Sequence, residues 1–259
     1  MNGFEVRRAH SIEEYQQAFE LVYQEYVRAG YIQKPRPSRM FVSPQILLPG
    51  SCVLIITHHF KVVSTLSIVK DSEMGLPMDS VYSSELNYLR RDGRSLFEAC
   101  GLATSEKYRW KNLFMFAFRE CFWHAVRSGA TDICIMVNPK HVAFYKKILL
   151  FEDLGPEKFY ARLGVPAVAL RIPLETAEER LRQAYEGMDP ECNLYRFFYG
   201  PLSQGLKGAT VEVKPEKKSV PHEYVLRQFL LRRPDALSEM SSKERGKVSA
   251  FYRLAVENC

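Results

Sequence analysis

The stretch Phe97-Glu98-Ala99-Cys100-Gly101-Leu102-Ala103-Thr104 decides how this chain reads. It is an apolar run with one carboxylate inside it and one glycine just past its middle. A lone acid within an apolar strand is costly unless it is partnered or useful. A glycine inside a strand points to a bulge or to close approach of another backbone. Strand alternation sets Glu98 on the same face as Cys100, at least as far as Gly101. Desolvation there raises a carboxyl pKa toward neutrality, which suits a general base. The competing reading ties Glu98 by a salt bridge to Arg94 or Arg109. A bulge at Gly101 frees the main-chain N–H groups of Gly101, Leu102 and Ala103 to bind a carbonyl oxygen and the charge that develops on it.

Arg90, Arg91 and Arg94 crowd the loop before this strand. Any one of the three, with Arg90 and Arg94 the ones carried forward, is a candidate to pair bidentately with a substrate carboxylate, although a charged helix end explains them as well. After the strand, Ser105 to Ser128 reads as a long amphipathic helix. Phe114, Phe118, Cys121, Phe122 and Ala125 form its stripe, and Gly129 its C-cap. By default that stripe is core; a lining for an apolar ligand is the alternative. Lys107, Arg109 and Lys111 fall in the expected first turns, where cations oppose the helix dipole by roughly 0.3–1 kcal/mol each. An anionic ligand would remove that conflict, and a solvated basic helix start is the plainer alternative.

Asp132 to Val137 is a continuous apolar strand, as expected where both sheet faces are covered. Asn138 and Pro139 then open a helix reaching about Leu149, and Val165 to Ile172 reads as another strand. Upstream, Phe4 to Ala9 alternates like a strand, and Ser11 with Glu14 forms a capping box for a helix ending near Gly30. Residues 31 to 50 hold four prolines and form a long loop. Ser51–Thr57 and Lys61–Lys70 make a hairpin joined at His58-His59-Phe60; with no third ligand at a telling spacing, the histidine pair reads as a turn, not a metal site. Val81 to Leu89 forms a short helix. Beyond Pro173 come helices at Leu174–Tyr185, Tyr224–Leu231 and Ser242–Val256, with a glycine- and lysine-rich linker over Gly200–Pro221. The fold class is therefore α+β, an α/β three-layer domain around one mixed sheet over 1–173, with a helical C-terminal extension over 174–259 packing on it.

Composition sets bounds on function. The 259 residues are 46% hydrophobic and 25% charged, enough for a core without disulfide staples. The chain opens without a signal-peptide pattern and has no run long enough to span a bilayer. Its six cysteines lack a C-x-x-C pair, which favours reduced thiols and a cytoplasmic setting. The net charge of +6 allows an acidic partner, but no nucleic-acid signature accompanies it.

Asn138-Pro139-Lys140-His141-Val142-Ala143-Phe144-Tyr145, running on to Leu150-Phe151-Glu152, resembles the fourth-helix motif of the GNAT superfamily of N-acyltransferases, with Leu150 where a glycine is usual. The Asp71–Asp79 loop (DSEMGLPMD), the Glu85-Leu86-x-x-Leu89-Arg90 helix and the FEACGLA strand resemble a narrower branch, the bacterial long-chain N-acyl amino acid synthases. The Tyr23–Ile32 stretch is similar to the same branch, which is related to the acyl-homoserine-lactone synthases. The resemblance implies a GNAT-like fold and transfer of a long-chain acyl group from an acyl-carrier-protein thioester to the amine of an amino acid acceptor. It implies Glu98 as base, Tyr145 as proton donor to the departing thiolate, and Tyr31 at the acceptor. No cofactor is bound permanently; the acyl-phosphopantetheine thioester is a co-substrate. The lipid product would bring the protein near a membrane. The missing glycine-rich turn after Ala103 fits a carrier-protein arm, docked on Lys107, Arg109 and Lys111, better than coenzyme A. Alternatives are a lactone synthase or an acyl-CoA-dependent N-acyltransferase, and a non-catalytic carrier-binding module. Lactone synthases carry an arginine where this chain has Gly101, which ranks that reading lower.

Overall fold

The computed structural model describes residues 3–200, 211–213 and 221–254. In chain order the first elements are β1 (Phe4–Arg8), α1 (Ile12–Arg28), β2 (Cys52–His58), β3 (Lys61–Lys70), α2 (Asp79–Arg91) and β4 (Leu96–Thr104). There follow α3 (Leu113–Arg127), β5 (Asp132–Val137), α4 (Pro139–Lys147), β6 (Glu152–Tyr160) and β7 (Val165–Pro173). The remaining elements are α5 (Leu174–Tyr185), α6 (Leu194–Tyr199), β8 (Val211–Val213), α7 (His222–Arg232) and α8 (Ser242–Tyr252). One mixed sheet runs in the order β6-β7-β5-β4-β3-β2-β1-β8, so the strand with the buried acid is central. Of the Gly200–Pro221 linker, most lies outside the described residues.

Alternation along β4 separates two cores. Phe97 and Ala99 face the α3 side, packing with Leu113, Phe118 and Phe122. Leu96 and Cys100 face the α1 side, with Tyr15, Phe19 and Tyr82. The residues after Pro173 enter both: Phe197 and Phe198 of α6 pack on the α3 side, and Leu226 and Phe229 of α7 on the α1 side. The three-residue β8 pairs parallel with β1. The capping boxes at Ser11 and Ser241 read differently in detail: at Ser11 the side chain accepts from the Glu14 N–H, while at Ser241 both halves form.

Two departures from the sequence reading have physical causes. The expected helix from Ser105 is broken: Glu106–Lys111 is a 3-10 segment, and Asn112, with φ 51°, takes the left-handed conformation before α3 starts. Asparagine tolerates that region, so the break costs little. Lys107, Arg109 and Lys111 thus precede α3 and do not lie in its first turns. β6 is the second, an edge strand whose polar, Gly-Pro-interrupted sequence hides it and whose pairing with β7 slips twice. Gly155 is required there: a Cβ would lie 2.8 Å from Cδ1 of the buried Tyr82. The Tyr82 hydroxyl donates to the carbonyls of Pro156 (2.8 Å) and Ala167 (2.6 Å).

At the base of β4 and β5, Asp132 is fully buried. Its two oxygens accept from Arg94 Nε at 2.6 Å and Arg171 Nη1 at 3.0 Å, and Arg94 reaches on to Glu175 of α5 at 2.8 Å. Removing the carboxylate takes away the buried acceptor that Arg94 and Arg171 share, leaving them only the more exposed Glu175 and Glu152, so Asp132→Ala is expected to cost about 3–5 kcal/mol in denaturant unfolding. A loss below about 1 kcal/mol would show that this cluster does not anchor the strands.

Candidate active site

The bulge expected at Gly101 is present. Cys100 pairs with Ser67 and Ala103 with Thr65, so Gly101 and Leu102 together oppose Leu66 alone. Gly101 has φ +60°, a conformation that an L side chain enters at a cost of roughly 1–2 kcal/mol. On its other edge β4 pairs with β5 only from Leu96 to Glu98, against Asp132 to Cys134. β5 continues alongside β7 to Val137. The two parallel strands therefore part immediately after Glu98.

A cavity of about 240 Å³ fills this wedge. Glu98 to Leu102 form one wall and Ile135 to Asn138 the other. Phe114, Phe118 and Tyr145 line it from the α3 and α4 side, while Phe19, Val22 and Tyr26 line it from the α1 side. The cavity thus threads the sheet through the gap, and its walls are chiefly apolar.

Glu98 is 1% exposed. Its Oε2 accepts the Met78 N–H at 2.8 Å. Among the described residues no cation pairs with it: Arg94 is engaged by Asp132 and Glu175, and Arg109 by Glu25. Burial pushes the Glu98 pKa up to about 8; the Met78 N–H opposes the shift and the charge of Asp79 adds to it. Burial pushes the Tyr145 pKa up to about 12, so the phenol keeps its proton at neutral pH. Burial also drives the Cys100 thiol upward, away from thiolate chemistry.

Of the residues singled out in the sequence, Glu98, Gly101, Leu102, Tyr145 and Tyr31 all line the cavity. Ala103 is buried behind it. Arg90 and Arg94 lie elsewhere: Arg90 is held by Asp71 and Asp79, both at 2.6 Å, and Arg94 by the Asp132 cluster. Lys107 and Lys111 stack on Tyr108 and Trp110, beside an indole that is 69% exposed. Sequence reading passed over His141 and Arg162, which also line the cavity. Burial and the neighbouring Lys140 lower the His141 pKa. Arg162 lies in the turn after β6, and with β6 unread its turn was unread too. Among the described residues no cluster of metal-ligating side chains occurs, and no helix is long and apolar enough to cross a membrane.

Known proteins resemble this chain at two levels. Solved structures share its fold. FeeM, an N-acyl amino acid synthase from uncultured soil microbes, superposes with a TM-score of 0.60 at 24% identity, covering 68% of this chain and 93% of its own. BjaI, a CoA-dependent acyl-homoserine lactone synthase solved with SAM and isopentyl-CoA, gives a TM-score of 0.55 at 11% identity over 88% of this chain and 98% of its own. MesI, another CoA-dependent acyl-homoserine lactone synthase, gives 0.50 at 16% identity over 70% and 94%. The comparison with curated protein sequences returns no match. The family model described as N-acyl amino acid synthase FeeM matches residues 17–173, more than half of the chain and all of the cavity wall built by β4, β5 and α4. The chain therefore belongs to the FeeM family of N-acyl amino acid synthases, which are acyltransferases.

Proposed function

We propose that this protein transfers a long-chain acyl group from an acyl-carrier-protein thioester to the amino group of an amino acid. The observation that carries the reading is Glu98, a carboxyl with no cationic partner among the described residues, held in a chiefly apolar cavity where two strands part. The apolar walls suit an acyl chain, and the parted edge of β4 offers main-chain groups to its thioester. In the reaction the acceptor amine gives a proton to Glu98 and its nitrogen attacks the thioester carbon. The N–H groups of Gly101 and Leu102, in the bulge, hold the oxygen as negative charge develops. The C–N bond forms, the C–S bond breaks, and the sulfur leaves as thiolate. Tyr145 donates a hydrogen bond to that sulfur and then its proton, which water restores from Glu98. Products are the amide and the free thiol of the carrier arm.

For the donor, the 3-10 segment Glu106–Lys111 replaces a glycine-rich phosphate cradle and presents Lys107, Lys111 and the exposed Trp110. That surface suits an acidic carrier with one phosphate on its arm better than a nucleotide pyrophosphate. The CoA-dependent lactone synthases of like fold favour coenzyme A as the second reading. Kinetics with matched acyl-carrier-protein and acyl-CoA donors decide between them. The proposal expects a kcat/KM advantage of at least about tenfold for the carrier, reduced in Lys107→Glu/Lys111→Glu; equal turnover would sink it.

Glu98→Gln is expected to lower kcat/KM by about 10²–10⁴ and to remove an apparent pKa near 8 from the pH–rate profile, on whose alkaline side the base is free. Near wild-type turnover at neutral pH would rule the base out. The folded-state pKa lies above the ordinary 4.5, so the stability that protonated Glu98 contributes is full below that value and lost as pH rises through about 8. The Gln variant should therefore melt no lower than wild type at pH 8, separating lost chemistry from lost fold. Tyr145→Phe is expected to cost kcat about tenfold with donor KM unchanged. An unaltered kcat would confine Tyr145 to packing.

A further inference from the structure

Among the residues lining the cavity, Arg162 is the one arginine or lysine. Nothing in the chemistry above employs it. Its guanidinium lies over the Phe41 ring, 4.8 Å from the centroid, and Nη2 donates to the Val42 carbonyl at 3.0 Å. The residue is exposed and lines the cavity, which places it at the mouth on the α1 side. No described acid forms an ion pair with it.

A second guanidinium stands over the same ring. Arg36 lies 4.7 Å from the Phe41 centroid, and its side chain is only 10% exposed. Its nearest acid, Glu239, is 3.9 Å from Nε. Nη1 of Arg36 is buried and has no hydrogen-bond partner among the described residues. Two cations sharing one aromatic ring repel each other, and a buried donor without an acceptor is unfavourable. An anion held by Arg162 at the cavity mouth offsets that repulsion, and a carboxylate matches the guanidinium fork.

We propose that Arg162, backed by Arg36, holds the α-carboxylate of the acceptor amino acid at the cavity mouth, with its amine directed inward to Glu98. The inference rests on the proposed acylation of an amino acid and assigns its recognition to arginines other than those preceding β4. It accounts for an amino acid, and not a simple amine, as the proposed acceptor: the carboxylate supplies the countercharge that no described acid gives Arg162.

The test is calorimetric binding of N-dodecanoylglycine and of its carboxamide to wild type, Arg162→Ala and Arg162→Lys. Wild type is expected to prefer the acid by about tenfold to a hundredfold. Arg162→Ala should lose that preference while binding the carboxamide as before, at an unchanged melting temperature; Arg162→Lys should keep part of it. Equal binding of acid and carboxamide to wild type, or a preference intact in Arg162→Ala, would overturn the assignment. Turnover with glycine and glycinamide separates the two claims. Acylation of glycine favoured through KM supports both, and equal kcat/KM for the two overturns the carboxylate site. No acylation of either amine refutes the chemistry, and the binding result then judges Arg162 by itself.

Discussion

The structure depends on burying one carboxyl group without a countercharge. Taking an ionised carboxylate into an apolar interior is so unfavourable that proteins neutralise or pair it. Here the available arginines are spent elsewhere: Arg94 on Asp132 and Glu175, Arg109 on Glu25. Glu98 has a single N–H from Met78 and a pKa near 8. A group in that state is poised to exchange a proton near physiological pH, which is the property a general base requires. Had Arg94 reached Glu98, the same strand would hold an ordinary structural salt bridge.

The parting of β4 from β5 gives the carboxyl something to act on. Asp132 clamps the strands at their start, through Arg94 and Arg171, and pairing ends two residues later, at Cys134. Beyond that point the Gly101 bulge bends β4 away, and the gap joins the two cores that the sheet otherwise separates. In the proposed chemistry the long acyl chain lies on one side of the sheet while the acceptor approaches from the other. The buried ion cluster and the cavity are two ends of one arrangement, rigid where the strands are clamped and open where they part.

Much of this was legible in the sequence because local signals agreed with the fold. The acid and glycine of β4, the apolar run of β5 and the Asn138-Pro139 helix start each stand for one physical requirement, and each lies where it was expected. The family motif even survives a substitution: Leu150, in the place of a glycine, still adopts φ 58°. Failures came where tertiary context overrides composition. β6 carries Gly155 for the passage of Tyr82, not for a turn, so its polarity and Gly-Pro pair disguised a strand. α6, Leu194–Tyr199, is a single short helix stabilised by packing on α3, too brief for periodicity to show. Arg90 and Arg94 lie with other acids for a related reason: charge near a site in sequence says nothing about which acids meet it in space. Arg162 lies more than sixty positions from Glu98 in the chain, yet the two line one cavity.

The central claim is that Glu98 holds its proton into the mildly alkaline range because it is buried and no cation meets it. Carboxyl-carbon NMR titration of protein labelled at glutamate, with Glu98→Gln for assignment, measures this directly. The account predicts one resonance titrating near pH 8 and absent from the variant. A Glu98 resonance that titrates in the ordinary carboxylate range, near 4.5, would contradict it.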